Sequence, residues 1–391
     1  MQDRQAHRSA RARISEHRRV VVKVGTRTIV ARGGRPDERR LSALVDELSA
    51  LRAGGREVVL VSSGAIGAGV AALGLSRRPS TLPGLQVAAA VGQMRLMARY
   101  DKLFSERGVT VGQVLLTHDD LRHRVRHLNA RNTMMHLLDQ GVVPIVNEND
   151  AVSVDEIKFG DNDQLAALVT MLVDSPLLVM LTRTNGLRAP ALGKTASAAK
   201  RTRRVPYAPR IDEQALALTW GAGDPLSTGG MASKLLAAQA AADVGAQVVI
   251  ADGRTPRVLE RVLAGEDVGT LIGDGATLDG RRRLPSRKRW IAYFHRPQGT
   301  LVVDGGAQQA LVERGRSLLP AGICAVDGQF DIGSVVTVRT REGKIIARGL
   351  VDYRSDEIEK IRGRRTADIA RILGEKPYDE VIHRDNMVVF E

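Results

Sequence analysis

The sequence predicts an α/β protein: a three-layer αβα sandwich with a mainly parallel sheet, followed by a small C-terminal β-barrel-like domain. Three observations lead there. Runs of strand length at 19–24, 57–62, 110–116, 142–147, 176–182 and 247–251 are apolar almost throughout, as strands buried on both faces of a parallel sheet are. Helical stretches at 37–53, 64–74, 86–107, 126–140, 161–173 and 231–244 lie between them, and such βα alternation builds layered sheets. After about residue 290 the texture changes to short strand-like pieces at 300–303, 334–340 and 344–352, spaced by Gly322, Gly328, Gly333, Gly343 and Gly349, the pattern of a small barrel with one or two helices.

Taken in order, the first strand is the run Val20-Val21-Val22, with Lys23 at its carboxyl end before Gly25. A charge there is costly unless something anionic meets it. The second strand, EVVLVS, runs into SSGAIGAG at 62–69 and then a helix. Ser63 and Gly64 would offer a hydroxyl and N–H groups to an anion; a plain capping serine is the competing reading. Gly108, Gly141 and Gly245 each end a helix before a strand, as cap glycines do. The strand VVPIV ends in NENDAV, 147–152, where Asn147, Glu148, Asn149 and Asp150 crowd one carboxyl end. GDNDQL, 160–165, opens a helix: Asp161 or Asn162 suits its cap, and Asp163 its first turn, where a carboxylate is favoured by the dipole. Last, Gly229-Gly230 leads into Lys234 and a helical run, so free N–H groups and a positive dipole end face an anion. Two lysines at element ends, far apart in sequence, suggest a phosphate held from two sides. GxxxxGK[ST] and a GxGxxG after the first strand are both missing, which argues against P-loop and Rossmann chemistry.

With 391 residues, two domains are expected. The boundaries read as a basic disordered tail at 1–18, the αβα domain at 19–280, a basic linker at 281–289 and the second domain at 290–391. No apolar run reaches the roughly 18 residues of a membrane span, and the basic N-terminus lacks a secretory apolar core. Cys324 is the only cysteine, which excludes intrachain disulfides and cysteine metal sites and fits a reducing cytoplasm. The net charge of +14 invites a nucleic-acid reading, but it is local: residues 1–19 carry +4, residues 183–210 carry +8 and residues 281–289 carry +6. From Trp290 to Glu391 fifteen basic residues meet fifteen acidic ones, so the second domain lacks the usual electrostatic footprint for RNA. His118, His123, His127 and His136 fit no metal-ligand spacing beyond one i,i+4 pair and read as surface histidines on a helix.

In family order, the segments VVKVGT, VSSGAIGAG, VGQVLLT, NENDAV, EIKFGDND and STGGMASK resemble the glutamate 5-kinases of the amino-acid kinase family. SLLPAGICAVDGQFDIGSVV, ARGLVDYRSDEI and VIHRDNMV resemble their C-terminal PUA domain. The resemblance implies transfer of the γ-phosphoryl group of ATP to the glutamate side-chain carboxylate, with Mg2+ carried on the phosphates and no firmly assigned protein metal ligand. It assigns Lys23, Lys234 and Asp163 to catalysis, and Ser63, Asp150, Asn162 and Asp161 to glutamate. To ATP it assigns Lys23, Thr182, Arg183 and the loop Thr228, Gly229, Gly230, Met231, Ala232, Ser233 and Lys234. It further implies feedback inhibition by proline, a homo-oligomer and glutamyl phosphate reductase as a partner. One departure stands out: the family's LTD and GLYTADP-like stretch is LTRTNGLRAPALGK here, with Arg183 and Arg188 in place of an aspartate and a tyrosine. Two alternatives are a related kinase with another acceptor and an RNA-binding regulator with a decayed kinase site. SSGAI with NENDAV argues against the first, and retention of Lys23, Asp163 and Lys234 against the second.

Overall fold

A computed structural model describes residues 2–30, 37–152, 161–190, 202–211, 230–273, 288, 291 and 297–390. The chain divides into two compact units, Met1–Arg283 and Leu284–Glu391.

The first unit is built on an eight-stranded sheet, ordered β3-β4-β2-β1-β5-β9-β10-β8. Its strands are β1 (Arg19–Val24), β2 (Glu57–Val61), β3 (Val111–Leu116), β4 (Val143–Glu148), β5 (Leu177–Thr182), β8 (Tyr207–Ala208), β9 (Gln247–Asp252) and β10 (Thr270–Ile272). β6 (Arg188–Pro190) and β7 (Thr202–Arg204) form a separate antiparallel hairpin. Every pairing in the large sheet is parallel except β10 with β9. The six expected strands are all present, with ends within one residue of the apolar runs. β8 and β10 are too short for such runs to announce them.

Strand alternation explains the three layers. Val20, Val22 and Val24 of β1 join a core with α1 (Gln2–Ile14), α3 (Glu38–Ala53) and α5 (Leu82–Ser105) through Ala10, Ile14, Leu41, Leu48, Leu96 and Tyr100. Position 23 points the other way, towards α8 (Asp161–Leu172) and α9 (Met231–Asp243). α7 (Arg124–Asp139) is the helix expected at 126–140, and a separate turn of helix that was not expected, α6 (His118–Arg122), precedes it. α4 (Ala65–Ala72) crosses α5 so closely that a Cβ on Gly69 would stand 1.7 Å from the Ala88 carbonyl oxygen, and one on Gly92 1.7 Å from that of Ala65. Only glycine permits that approach.

The expected disordered tail is corrected over Gln2–Ile14. Ala10 and Ile14 are fully buried. Arg11 donates to the carbonyls of Val268 (2.8 Å), Glu266 (3.0 Å), Gly269 (3.1 Å) and Pro206 (3.2 Å). Its guanidinium therefore ties the N-terminal helix to the segments leading into β8 and β10. The physical reason is that a basic helix can still carry an apolar stripe, and an arginine can be buried when carbonyls satisfy its fixed donor fork.

The second unit has its own core and a five-stranded sheet ordered β12-β11-β13-β14-β15. These are β11 (Gly299–Val303), β12 (Ile323–Asp327), β13 (Val335–Thr340), β14 (Ile345–Leu350) and β15 (Met387–Val389). Register shifts at Val302/Val303 and Val338/Arg339 curl the sheet as bulges do.

Candidate active site

Three charged side chains meet at the carboxyl edge of the parallel sheet. β1 delivers Lys23 between β2 and β5, opposite Val61 and Met180. α8 delivers Asp163 from its first turn, and α9 delivers Lys234 from its own. The Lys23 Nζ donates to Asp163 Oδ1 at 2.7 Å, and the Lys234 Nζ to Oδ2 at 3.0 Å. Ser233 Oγ also donates to Oδ2, at 3.3 Å. The Asp163 side chain is 1% exposed, that of Lys23 7% and that of Lys234 16%. The carboxylate is thus wholly enclosed while the second ammonium keeps a face towards solvent.

Two cations around one anion leave a net charge of +1 in a buried place. Burial by itself would raise the Asp163 carboxyl, but both ammoniums oppose this and hold it below its ordinary 3.8. Lys23 lies below its ordinary 10.5 because burial disfavours its charge and Lys234 repels it, with Asp163 opposing both. The two downward shifts agree: the carboxylate meets two cations, and at Lys23 burial and the second ammonium outweigh Asp163. Among the described residues the cluster therefore carries an excess of positive charge, which suits an anionic ligand.

Beside this triad stands a neutral polar network. Asn162 Nδ2 donates to Ser63 Oγ at 3.0 Å and to Asn147 Oδ1 at 3.3 Å. Asn147 Oδ1 also accepts from the Glu148 backbone N–H at 3.0 Å. Ser63 precedes Gly64, whose φ of 105° is a left-handed conformation that favours glycine. Asn162 Oδ1 is buried with no hydrogen-bond partner among the described residues, so an acceptor atom remains for a ligand donor. Because Asn162 and Asp163 are consecutive at the start of α8, one helix end joins the neutral network to the charged triad. Asp150 is half-buried just past β4, and its charge acts on the Arg78 guanidinium. Asp161 begins α8; its side chain lies outside the described residues.

On the other side of Lys23, β5 and β9 end together, with Thr182 opposite Asp252. Thr182 Oγ1 accepts from the Thr184 N–H at 2.9 Å, closing a tight turn. The Arg183 side chain is exposed, and its carbonyl accepts from Arg254 Nη2 at 2.7 Å. Gly230 opens α9 without a side-chain cap, and Met231, Ala232, Ser233 and Lys234 follow with no acid in the first turn. Thr228 and Gly229 lie outside the described residues.

Sequence reasoning missed the supports of the network. Asn147 donates to Gln93 Oε1 at 2.9 Å, and Ser62 Oγ lies 2.9 Å from the buried Tyr100 hydroxyl. The histidine reading also needs correction. His127 is 4% exposed, with Nδ1 3.2 Å from the Leu121 carbonyl, so it donates there as a core residue. His118 is largely buried, with Nδ1 3.7 Å from Glu148 Oε1. His123 and His136 are exposed as expected. Among the described residues no cluster of three or more His, Cys, Asp or Glu could hold a metal.

A mainly parallel αβα sheet carrying two lysines on one buried carboxylate at its carboxyl edge is an arrangement suited to an anionic ligand such as a phosphoryl group. The model of the amino acid kinase family matches residues 18–252, and that of the PUA domain residues 299–373. The chain belongs to the amino acid kinase family. It is 48% identical over 382 residues to a glutamate 5-kinase of Moorella thermoacetica, covering 98% of this chain and 99% of that one. It is 45% identical over 376 residues to a glutamate 5-kinase of Geobacter sulfurreducens, covering 96% and 98% respectively. Among solved structures, a carbamate kinase from Giardia lamblia bound to AMP-PNP matches with a TM-score of 0.47 at 16% identity, covering 66% of this chain and 99% of that one.

Proposed function

We propose that this chain is a glutamate 5-kinase, which transfers the γ-phosphoryl group of ATP to the side-chain carboxylate of L-glutamate as the first step of proline biosynthesis. The observation that carries the reading is the start of α8, where Asn162 faces the neutral network and Asp163 grips both lysines. Near full-length similarity to glutamate 5-kinases supports it.

The chemistry needs no general base. A glutamate side chain with a pKa of about 4.3 is ionised at neutral pH. Its oxygen attacks the γ-phosphorus, the bond to the β-phosphate oxygen breaks, and ADP leaves without any proton moving. The barrier is the approach of an anion to a polyanion, and fixed positive charge lowers it. Lys23 and Lys234 supply that charge, and Asp163 fixes where both ammoniums stand. Ser63, Asn162, Asp161 and Asp150 hold glutamate, Asp150 through its ammonium. Thr182, Arg183 and the segment Thr228–Lys234 hold ATP. Both Asp163 oxygens are already taken by lysines, so the residues fit magnesium that arrives on the nucleotide, which favours few protein ligands.

An acyl phosphate product implies a reductase that consumes it, and the end product proline would compete for the glutamate network. A homo-oligomeric, cytoplasmic enzyme is part of the same reading; the neutral balance of residues 290–391 leaves RNA without a charge argument.

ATP-dependent ADP release with hydroxylamine present tests the reading, with glutamate, acetylglutamate, carbamate and nucleoside monophosphates as acceptors. Glutamate is expected to give a hydroxamate and the highest kcat/KM. Preference for any other acceptor would overturn it.

A further inference from the structure

The Asn162 amide is shared by two loops, and behind each loop stands one side chain of α5. Behind Asn147 is Gln93, whose Oε1 accepts from Asn147 Nδ2 at 2.9 Å. Behind Ser63 is Tyr100, 2.9 Å from the hydroxyl of Ser62, which in turn lies 3.4 Å from the Ser63 carbonyl. The hydrogen bonds close if Tyr100 donates to Ser62 and Ser62 donates to Ser63. Gln93 and Tyr100 are seven residues apart, two helical turns, and so share one face. Tyr100 is fully buried, Ser62 1% exposed and Asn147 2% exposed, so water does not substitute readily for either contact. The glycine crossing at Gly92 and Gly69 lets α4 and α5 approach this closely just before Gln93.

We infer that the α5 face bearing Gln93 and Tyr100 is the positioning element of the acceptor site, setting the Ser63–Asn162–Asn147 geometry that receives the amino acid. Neither residue touches the reacting atoms; each acts through the loop in front of it. β2 and β4 are already paired as neighbouring strands and through the Ser62 N–H···O=C bond to Val146; what α5 adds is a side-chain hold on Ser62 and Asn147. The inference rests on glutamate being the acceptor.

The test is steady-state kinetics on the full chain with Tyr100→Phe, Gln93→Leu and the double variant, together with thermal unfolding. Losing one hydrogen bond of this kind corresponds to a change of about 3–10-fold. KM for glutamate should rise by that factor in each single variant and by more in the double, with a departure from the product that reports their coupling through Asn162, while KM for ATP stays within about twofold. An unmoved glutamate KM, a parallel rise in both KM values or a loss confined to kcat would each overturn the inference. Should Tyr100→Phe fail to fold, the half-buried Gln93→Leu decides alone. Absence of glutamate turnover in the unsubstituted chain would sink the functional reading and this inference with it. Turnover with unmoved KM would sink only the inference.

Discussion

Lys23→Ala and Lys234→Ala are each expected to lower kcat by about 10²–10³-fold while the sheet stays folded, the usual cost of losing one donor aimed at transition-state charge. Each variant still leaves Asp163 one ammonium, because the carboxylate holds the two lysines through different oxygens. The buried carboxylate therefore stays compensated, and circular dichroism should match that of the unsubstituted chain. The loss should fall mainly on kcat, since charge builds on the transferring group after both substrates are bound. Turnover within a few-fold of normal in either variant would remove that lysine from the mechanism.

The second large effect is expected from Asp163→Ala. It leaves the Lys23 ammonium buried beside Lys234 without its anion. Breaking a buried ionic cluster in this way costs about 3–5 kcal/mol, and turnover should be lost as well because both ammoniums lose their anchor. The pH dependence follows from the depressed Asp163 carboxyl. A carboxyl whose folded pKa lies below its ordinary 3.8 stabilises the fold fully above that value. The contribution is lost as pH falls from there through the folded pKa. Urea denaturation at pH 7 should show a large difference between the unsubstituted chain and Asp163→Ala, and the difference should narrow below about pH 3.8. A difference that is small at pH 7, or constant into acid, would mean the triad is not an ionic cluster.

Most of the central sheet was legible because its chemistry is redundant along the chain. Val20-Val21-Val22, VVPIV and QVVIA are buried on both faces, so continuous apolarity marks them without help from partners. Two of the candidate residues were legible for a related reason: Lys23 and Lys234 interrupt apolar or glycine-rich surroundings where a solvated charge has no reason to be, whereas Asp163 stands in the polar run GDNDQL at a helix start and was singled out by the resemblance. That they meet on one carboxylate comes from topology, which places β1 in mid-sheet and starts α8 and α9 over the same edge.

What stayed hidden was support. Gln93 and Tyr100 sit inside a long helix among Ala, Val, Met and Leu, and nothing local separates a tyrosine that packs from one that also holds a serine. The N-terminal helix was hidden by its arginines. Its net charge suggested a solvated tail, whereas Arg11 is buried by four carbonyls that lie some 195–258 residues away in sequence. His127 was misplaced because its ring lies in the core of the first unit with Nδ1 on the Leu121 carbonyl, which its place among arginines and asparagines does not announce. For Gln93, Tyr100 and Arg11 the missing information was a long-range partner.

The central claim is that the glutamate side-chain carboxylate itself attacks the γ-phosphorus. Glutamate labelled with 18O in that carboxylate, incubated with ATP and hydroxylamine, tests it directly. Hydroxylamine attacks the acyl carbon of the product, so the bridging oxygen leaves with phosphorus. The account predicts that the released phosphate carries one 18O atom for each hydroxamate formed. Phosphate free of label would contradict it.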